Sequence, residues 1–149
     1  MASVPIVTKT GPKTFVPASG QTILGGQLVA ATTGGRVIVA GAASPKVLGV
    51  AVTDGIAPEQ QTTQAVVSGT VSTLDAAQAR PYVSVAYNGA EVQVTFAADA
   101  AFGDRLKSAA NGAVTPMANT DDPRLEVGVC TEPAGVVVAT NPVGLVRVK

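Results

Sequence analysis

The chain repeats itself. Gly26-Gln27-Leu28, Gly35-Arg36-Val37, Pro45 and Gly49-Val50 recur in order as Gly103-Asp104-Arg105-Leu106, Gly112-Ala113-Val114, Pro123 and Gly128-Val129, at an offset of 77 to 79 residues. Each copy, 26–54 and 103–133, reads as a strand opening at a glycine, a glycine turn, a second strand, a proline loop and a third strand with small residues. Two readings are open. Gly and Val are common here, so chance supplies such matches; alternatively the segment is a duplicated β-unit. Duplication predicts two units that pack on each other and bury a Val/Leu core within a single domain, 21–149.

Composition points the same way. Val, Ile and Thr supply 45 residues, and their branched Cβ favours a pleated backbone over a helix. The 16 glycines and ten prolines are spread along the chain as punctuation. The expected fold is all-β: a compact barrel-like or β-clip-like domain built from the two units, with a central hairpin. That hairpin is read from Tyr82-Val83-Ser84-Val85-Ala86-Tyr87, then Asn88-Gly89, then Ala90-Glu91-Val92-Gln93-Val94-Thr95-Phe96. Asn-Gly suits a type I′ turn, whose two central residues need positive φ. A two-residue loop would oppose Val85 to Val92 and Val83 to Val94, placing the valines on one face.

Helix has little room. Asp75–Arg80, capped by Asp75 and stopped by Pro81, and Ala97–Phe102, stopped by Gly103, are the two short candidates. Residues 1–20 hold three prolines and no long alternating run. They read either as an extended arm that pairs along another chain's sheet edge, or as an edge strand on their own domain.

The residue inventory narrows the chemistry. There is no histidine and no tryptophan, and the aromatics are three Phe and two Tyr. Such a chain has no Ser-His-Asp or Cys-His nucleophile, no His-ligated metal and no stacked sugar platform. Ten basic residues balance ten acidic ones, so no electrostatic footprint for nucleic acid or anionic lipid is present. Tyr82 and Tyr87 fall on one strand without a basic groove, which argues against single-strand binding. Gly25-Gly26 and Gly34-Gly35 lack the following helix that a phosphate loop needs. Asp121-Asp122 lacks a calcium-loop spacing, Asp99 and Asp104 flank a turn, and Cys130 sits in an apolar run as an inert small hydrophobe. No cofactor, metal or catalytic residue is expected. The opening segment has no basic n-region, and no run approaches ~20 apolar residues, so a soluble cytosolic product without a membrane span is expected.

The repeated Gly-x-Leu…Gly-Val unit resembles the capsid decoration (cement) proteins of tailed bacteriophages. Gly26-Gln27-Leu28-Val29-Ala30, Leu48-Gly49-Val50-Ala51-Val52 and Val67-Ser68-Gly69-Thr70-Val71 look like the corresponding run of lambdoid head decoration proteins. Gly103-Asp104-Arg105-Leu106 through Val127-Gly128-Val129 is similar to the longer cement proteins of actinobacterial phages. The resemblance covers roughly residues 20 to 133, and this chain is longer than the lambdoid type. It implies a homotrimer on the outer surface of a capsid, partnered by the major capsid protein and stabilising the shell. Val4, Pro5, Ile6, Val7 and Phe15 are the candidate capsid-binding residues. A virion-displayed module for a host or glycan ligand is the alternative, and a trimeric β-fold nucleotide hydrolase a more remote one.

Overall fold

The computed structural model describes residues 11–60 and 80–149. Among them every regular element is a β-strand or a single 3-10 turn. The strands are β1 (Lys13–Phe15), β2 (Thr22–Ile23), β3 (Leu28–Ala31), β4 (Val37–Val39), β5 (Val47–Ala51), β6 (Gly55–Ile56), β7 (Val83–Ala86), β8 (Glu91–Thr95), β9 (Arg105–Ser108), β10 (Val114–Pro116), β11 (Glu126–Cys130) and β12 (Val143–Val148). They form two five-stranded sheets, ordered β1-β7-β5-β3-β4 and β10-β9-β11-β12-β8, and a small β2-β6 pair. The all-β expectation holds.

The two large sheets match strand for strand. In the first, Val29, Ala30 and Ala31 face Val39, Ile38 and Val37. In the second, Leu106, Lys107 and Ser108 face Pro116, Thr115 and Val114, each partner 77 residues further on. The third strand repeats even its irregularity. Val29 faces Gly49 and Ala30 faces Val47, leaving Leu48 as the extra residue of a bulge. Leu106 faces Gly128 and Lys107 faces Glu126, leaving Val127 in the same place. The turns entering the two units correspond as well. Leu24 N–H is held by Gln27 Oε1, and Ala101 N–H by Asp104 Oδ2, both at 2.8 Å.

Neither sheet closes into a barrel, but both curl toward closure. A single parallel bridge, Pro17 to Val37 in the first and Phe96 to Val114 in the second, joins the chain beyond one edge strand to the strand at the opposite edge. Curling follows from strand twist and is sharpened by the bulges. Val29, Val37, Ala51, Val83, Val85 and Ile23 form one apolar cluster. Their counterparts in the second sheet, including Leu106, Val114, Cys130 and Val146, belong to a larger cluster. That cluster also takes in Leu28, Ala30 and Val50 of the first sheet, so it is the core between the two units. The positions equivalent to those three are Arg105, Lys107 and Val129, and none of these is buried.

Two expectations are corrected, and one of two open readings is selected. Asn88 and Gly89 do form a left-handed turn, with φ of 55° and 84°, but the strands flanking it do not pair. Val85 faces Lys13 and Ala51, while Val92 faces Val146. Both edges of β7 are taken by β1 and β5, and β12 occupies the edge of β8, so the turn hands the chain from one sheet to the other. Alternation is a local signal and partner choice is not. From Lys13 onward the segment read as an arm is an edge strand on its own domain, paired with β7. Ala97–Phe102 is not helical, because its backbone donors go to sheet partners: Ala97 N–H bonds Val114 O and Ala100 N–H bonds Val136 O. The 75–79 part of the other helix candidate, the 67–71 segment and Val4–Val7 lie outside the described residues.

Candidate interaction surface

The acids and the thiol that the sequence offers are used structurally. Asp99 Oδ1 accepts the Val138 N–H and Asp122 Oδ1 accepts the Arg124 N–H, at 2.8 and 2.9 Å. Asp104 closes the turn that opens β9. Cys130 is fully buried. Asp121 accepts the Ala118 N–H and bonds Lys107 Nζ, both at 2.7 Å. The Lys107 hydrogen bond, helped by that amide, holds its carboxyl below the usual range. Among the described residues no group of three or more His, Cys, Asp or Glu is placed to hold a metal ion.

Of the candidate contact residues, only Phe15 is described. It is half-buried and packs against the smaller apolar cluster, with Lys13 Nζ 5.4 Å from its ring centroid. Its ring therefore serves its own domain, as a cation–π partner and a core lid.

The surface has two other features. One is a charged strip on the outer face of the second sheet. Arg105 reaches Glu126 Oε2 through Nε at 3.0 Å and Nη2 at 2.7 Å, and Lys149 Nζ joins at 3.5 Å. Burial works to raise the Glu126 pKa, but the Arg105 hydrogen bond and the two cations outweigh it, and the net shift is downward. The second feature is apolar. Phe102 is 64% exposed on the Ala101–Asp104 turn, beside Val137 at 53%. Together with Pro133, Ala134 and Val136 they border an open hollow of about 390 Å³. Leu24, Val52 and Val143 are exposed near a groove of about 380 Å³, which runs between the two units along Gly25, Gly26 and β8. Sequence reading missed this patch. An apolar residue held on a glycine turn, as in Phe102-Gly103 and Leu24-Gly25, is the signal that marks it, since a turn has no core behind it.

The class defined by these features is an all-β protein of two equivalent curled sheets with exposed apolar turns. No protein-family model matches the chain, and no curated protein is significantly similar to it. Solved structures do share the fold. The N base of the head fiber gp8.5 of bacteriophage phi29 aligns over 93% of this chain and 95% of its own, with a TM-score of 0.55 and 19% identity. A C-terminal fragment of the phi29 gene product 12 aligns over 93% of this chain and 99% of its own, with a TM-score of 0.56 and 17% identity. The pre-mature phi29 gene product 12 aligns over 93% of this chain but 21% of its own, with a TM-score of 0.55 and 15% identity. At these identities the likeness is one of fold.

Proposed function

We propose that this chain is a structural protein of a phage virion that binds the outer surface of the capsid as a homotrimer and stabilises the shell. The observation that carries the reading is the fold likeness to the phi29 head fiber base over nearly the whole of both chains. The surface accords with it. Adhesion to a protein wall needs shape, apolar area and backbone pairing, and a trimer adds three weak contacts into one strong attachment. The major capsid protein is the partner, and the reading assigns no enzymatic step. Val4, Pro5, Ile6 and Val7 are the proposed contact segment, acting by strand addition to the wall. Phe15 completes the proposed set through its exposed part, while its other side packs on its own core.

Cryo-electron microscopy of virions with and without this protein tests the reading. Density for it on the outer shell that vanishes in its absence is expected, and particles lacking it at every position overturn the proposal. Deleting residues 1–10 is expected to lower occupancy on purified shells. Unchanged occupancy removes that segment from the attachment.

A further inference from the structure

The two units are joined by a contact with two unlike halves. One half is the turn at 110–112 of the second unit, and the other is the start of β3 in the first. The Gly112 N–H bonds Ala40 O at 2.9 Å, and Gln27 Nε2 bonds Asn111 O at 3.0 Å. A Cβ on Gly112 would meet Gln27 Cβ and Leu28 O, each at 2.9 Å. The turn therefore rests on the main chain at Leu28 and not on its side chain.

Duplication gives each unit both halves, and the joint uses only one of each. At the 77-residue offset of the ladders, Gly34 and Gly35 match Asn111 and Gly112, while Asp104, Arg105 and Met117 match Gln27, Leu28 and Ala40. The matched pieces have the same shape. Gly34 and Gly35 have φ of 81° and 73°, against 57° and 71° for Asn111 and Gly112. The Met117 N–H bonds Arg105 O at 2.8 Å, as the Ala40 N–H bonds Leu28 O at 2.9 Å. Gly34 and Gly35 are exposed, and among the described residues nothing lies within 4 Å of a Cβ built on either. Arg105 is exposed, Asp104 and Met117 are half-buried, and among the described residues no backbone N–H reaches Met117 O.

The unused halves also differ from the used ones in a matched way. Within the chain, neutral Gln27 meets the Gly112-Ala113 step; the unused halves carry Asp104 and Gly35-Arg36, which are opposite in charge. Asp104 has no N–H to repeat the Gln27 bond. One of its oxygens closes its own turn, and the other suits the Arg36 guanidinium, which spends Nη1 on Glu59 and has further N–H groups to give.

We propose that a second copy of this chain docks its 33–36 turn on the Asp104, Arg105 and Met117 face of the first, repeating between chains the joint made within one. The inference rests on the homotrimer reading and names its interface. Because the two halves differ, the contact is heterologous, the kind that closes rings such as a trimer.

Sedimentation velocity of the full chain over a range of concentrations tests it, with Gly35→Asn as the main variant. Asn accepts a positive φ, as Asn88 and Asn111 do, and the new Cβ meets none of the described residues of its own chain. The urea midpoint of the dilute chain is expected to stay unchanged while association weakens at least tenfold. Asp104→Asn, which keeps an oxygen for the Ala101 N–H, is expected to weaken association several-fold and to flatten its salt dependence. On the unmodified chain, amide exchange at Gly35 is expected to slow as association rises. Association that neither variant alters, or Gly35 exchange that association leaves unchanged, overturns this interface and leaves the trimer standing on another. A chain that stays monomeric at every concentration overturns the interface and the trimer together, while microscopy decides the virion location separately.

Discussion

Gly49 and Gly128 do the same work in the two sheets. Each directly follows the bulge residue of its own strand, and a Cβ built on either would overlap a carbonyl oxygen of the neighbouring strand, Ala86 O for Gly49 and Arg147 O for Gly128. The atoms met are backbone, which cannot rotate away. Gly49→Ala and Gly128→Ala are each expected to lower stability by about 1–3 kcal/mol or more, the range for overpacking a tight site. Urea titration checks this. Because the glycines belong to separate sheets, the double variant is expected to show the sum of the two losses to within ~0.5 kcal/mol.

Ala43 has the opposite problem. It is exposed and held at φ 49°, a left-handed conformation that costs an L-residue roughly 1–2 kcal/mol. Its N–H bonds Ser108 O at 2.9 Å, and the next N–H, from Ser44, bonds Ser108 Oγ at 2.8 Å, so the bend is fixed by the joint between the two units. Ala43→Gly relieves the strain but widens the unfolded ensemble by roughly 0.4–1 kcal/mol. The net expectation is a gain of about 0.5 kcal/mol, read as a higher urea midpoint at unchanged slope.

Acid is expected to weaken the fold through a small set of carboxylates. Asp121 and Glu126 have folded pKa values lowered from ordinary values of 3.8 and 4.5, and Glu59, beside its own backbone amide and Arg36, is lowered as well. Between folded and unfolded pKa the unfolded state binds more protons, so stability falls as pH falls. The contribution is complete above the ordinary values and is lost as pH drops below them toward the folded ones. Thermal unfolding from neutral pH down through that window checks it. Lys107→Met, which removes the first cause of the Asp121 shift, is expected to flatten part of the slope, and added salt to do so more weakly, because Asp121 and Glu126 are only partly exposed.

What the sequence makes legible is whatever depends on neighbours along the chain. The Gly and Val spacing repeats at the offset at which the ladders repeat, because the glycines mark turns and close approaches that each unit needs in the same place. The Asn88-Gly89 turn is legible for that reason too. Its strand partners are not, since the choice between Val92 and Ala51 as neighbour of Val85 is decided by β5 and β12, which lie 32 or more residues away from β7 and β8. The surface was the least legible part. Val143 in a half-exposed strand and Val146 in the core have the same side chain, and only the third dimension separates them.

Leu28 and Arg105 show how far the two units have diverged. They hold equivalent positions, facing Val50 and Val129 across the same ladder. Leu28 is buried in the core shared by the two sheets, whereas Arg105 lies on the outer face of the second sheet and bonds Glu126. The same backbone site is therefore a docking face in one unit and a solvated strip in the other. Leu28→Ala is expected to cost about 2–5 kcal/mol, since the cavity opens between two sheets that cannot both follow. Leu28→Arg buries a charge with no partner and is expected to leave no cooperative unfolding transition. The reciprocal change, Arg105→Leu, removes an exposed guanidinium from Glu126, which keeps Lys149, and is expected to alter stability by no more than ~1 kcal/mol. Its new apolar side chain sits beside Val129 and the Glu126 stem, so the change should instead appear as self-association at high concentration in sedimentation velocity. Equal losses from Leu28→Ala and Arg105→Ala would mean that the two faces are used alike, contrary to this assignment.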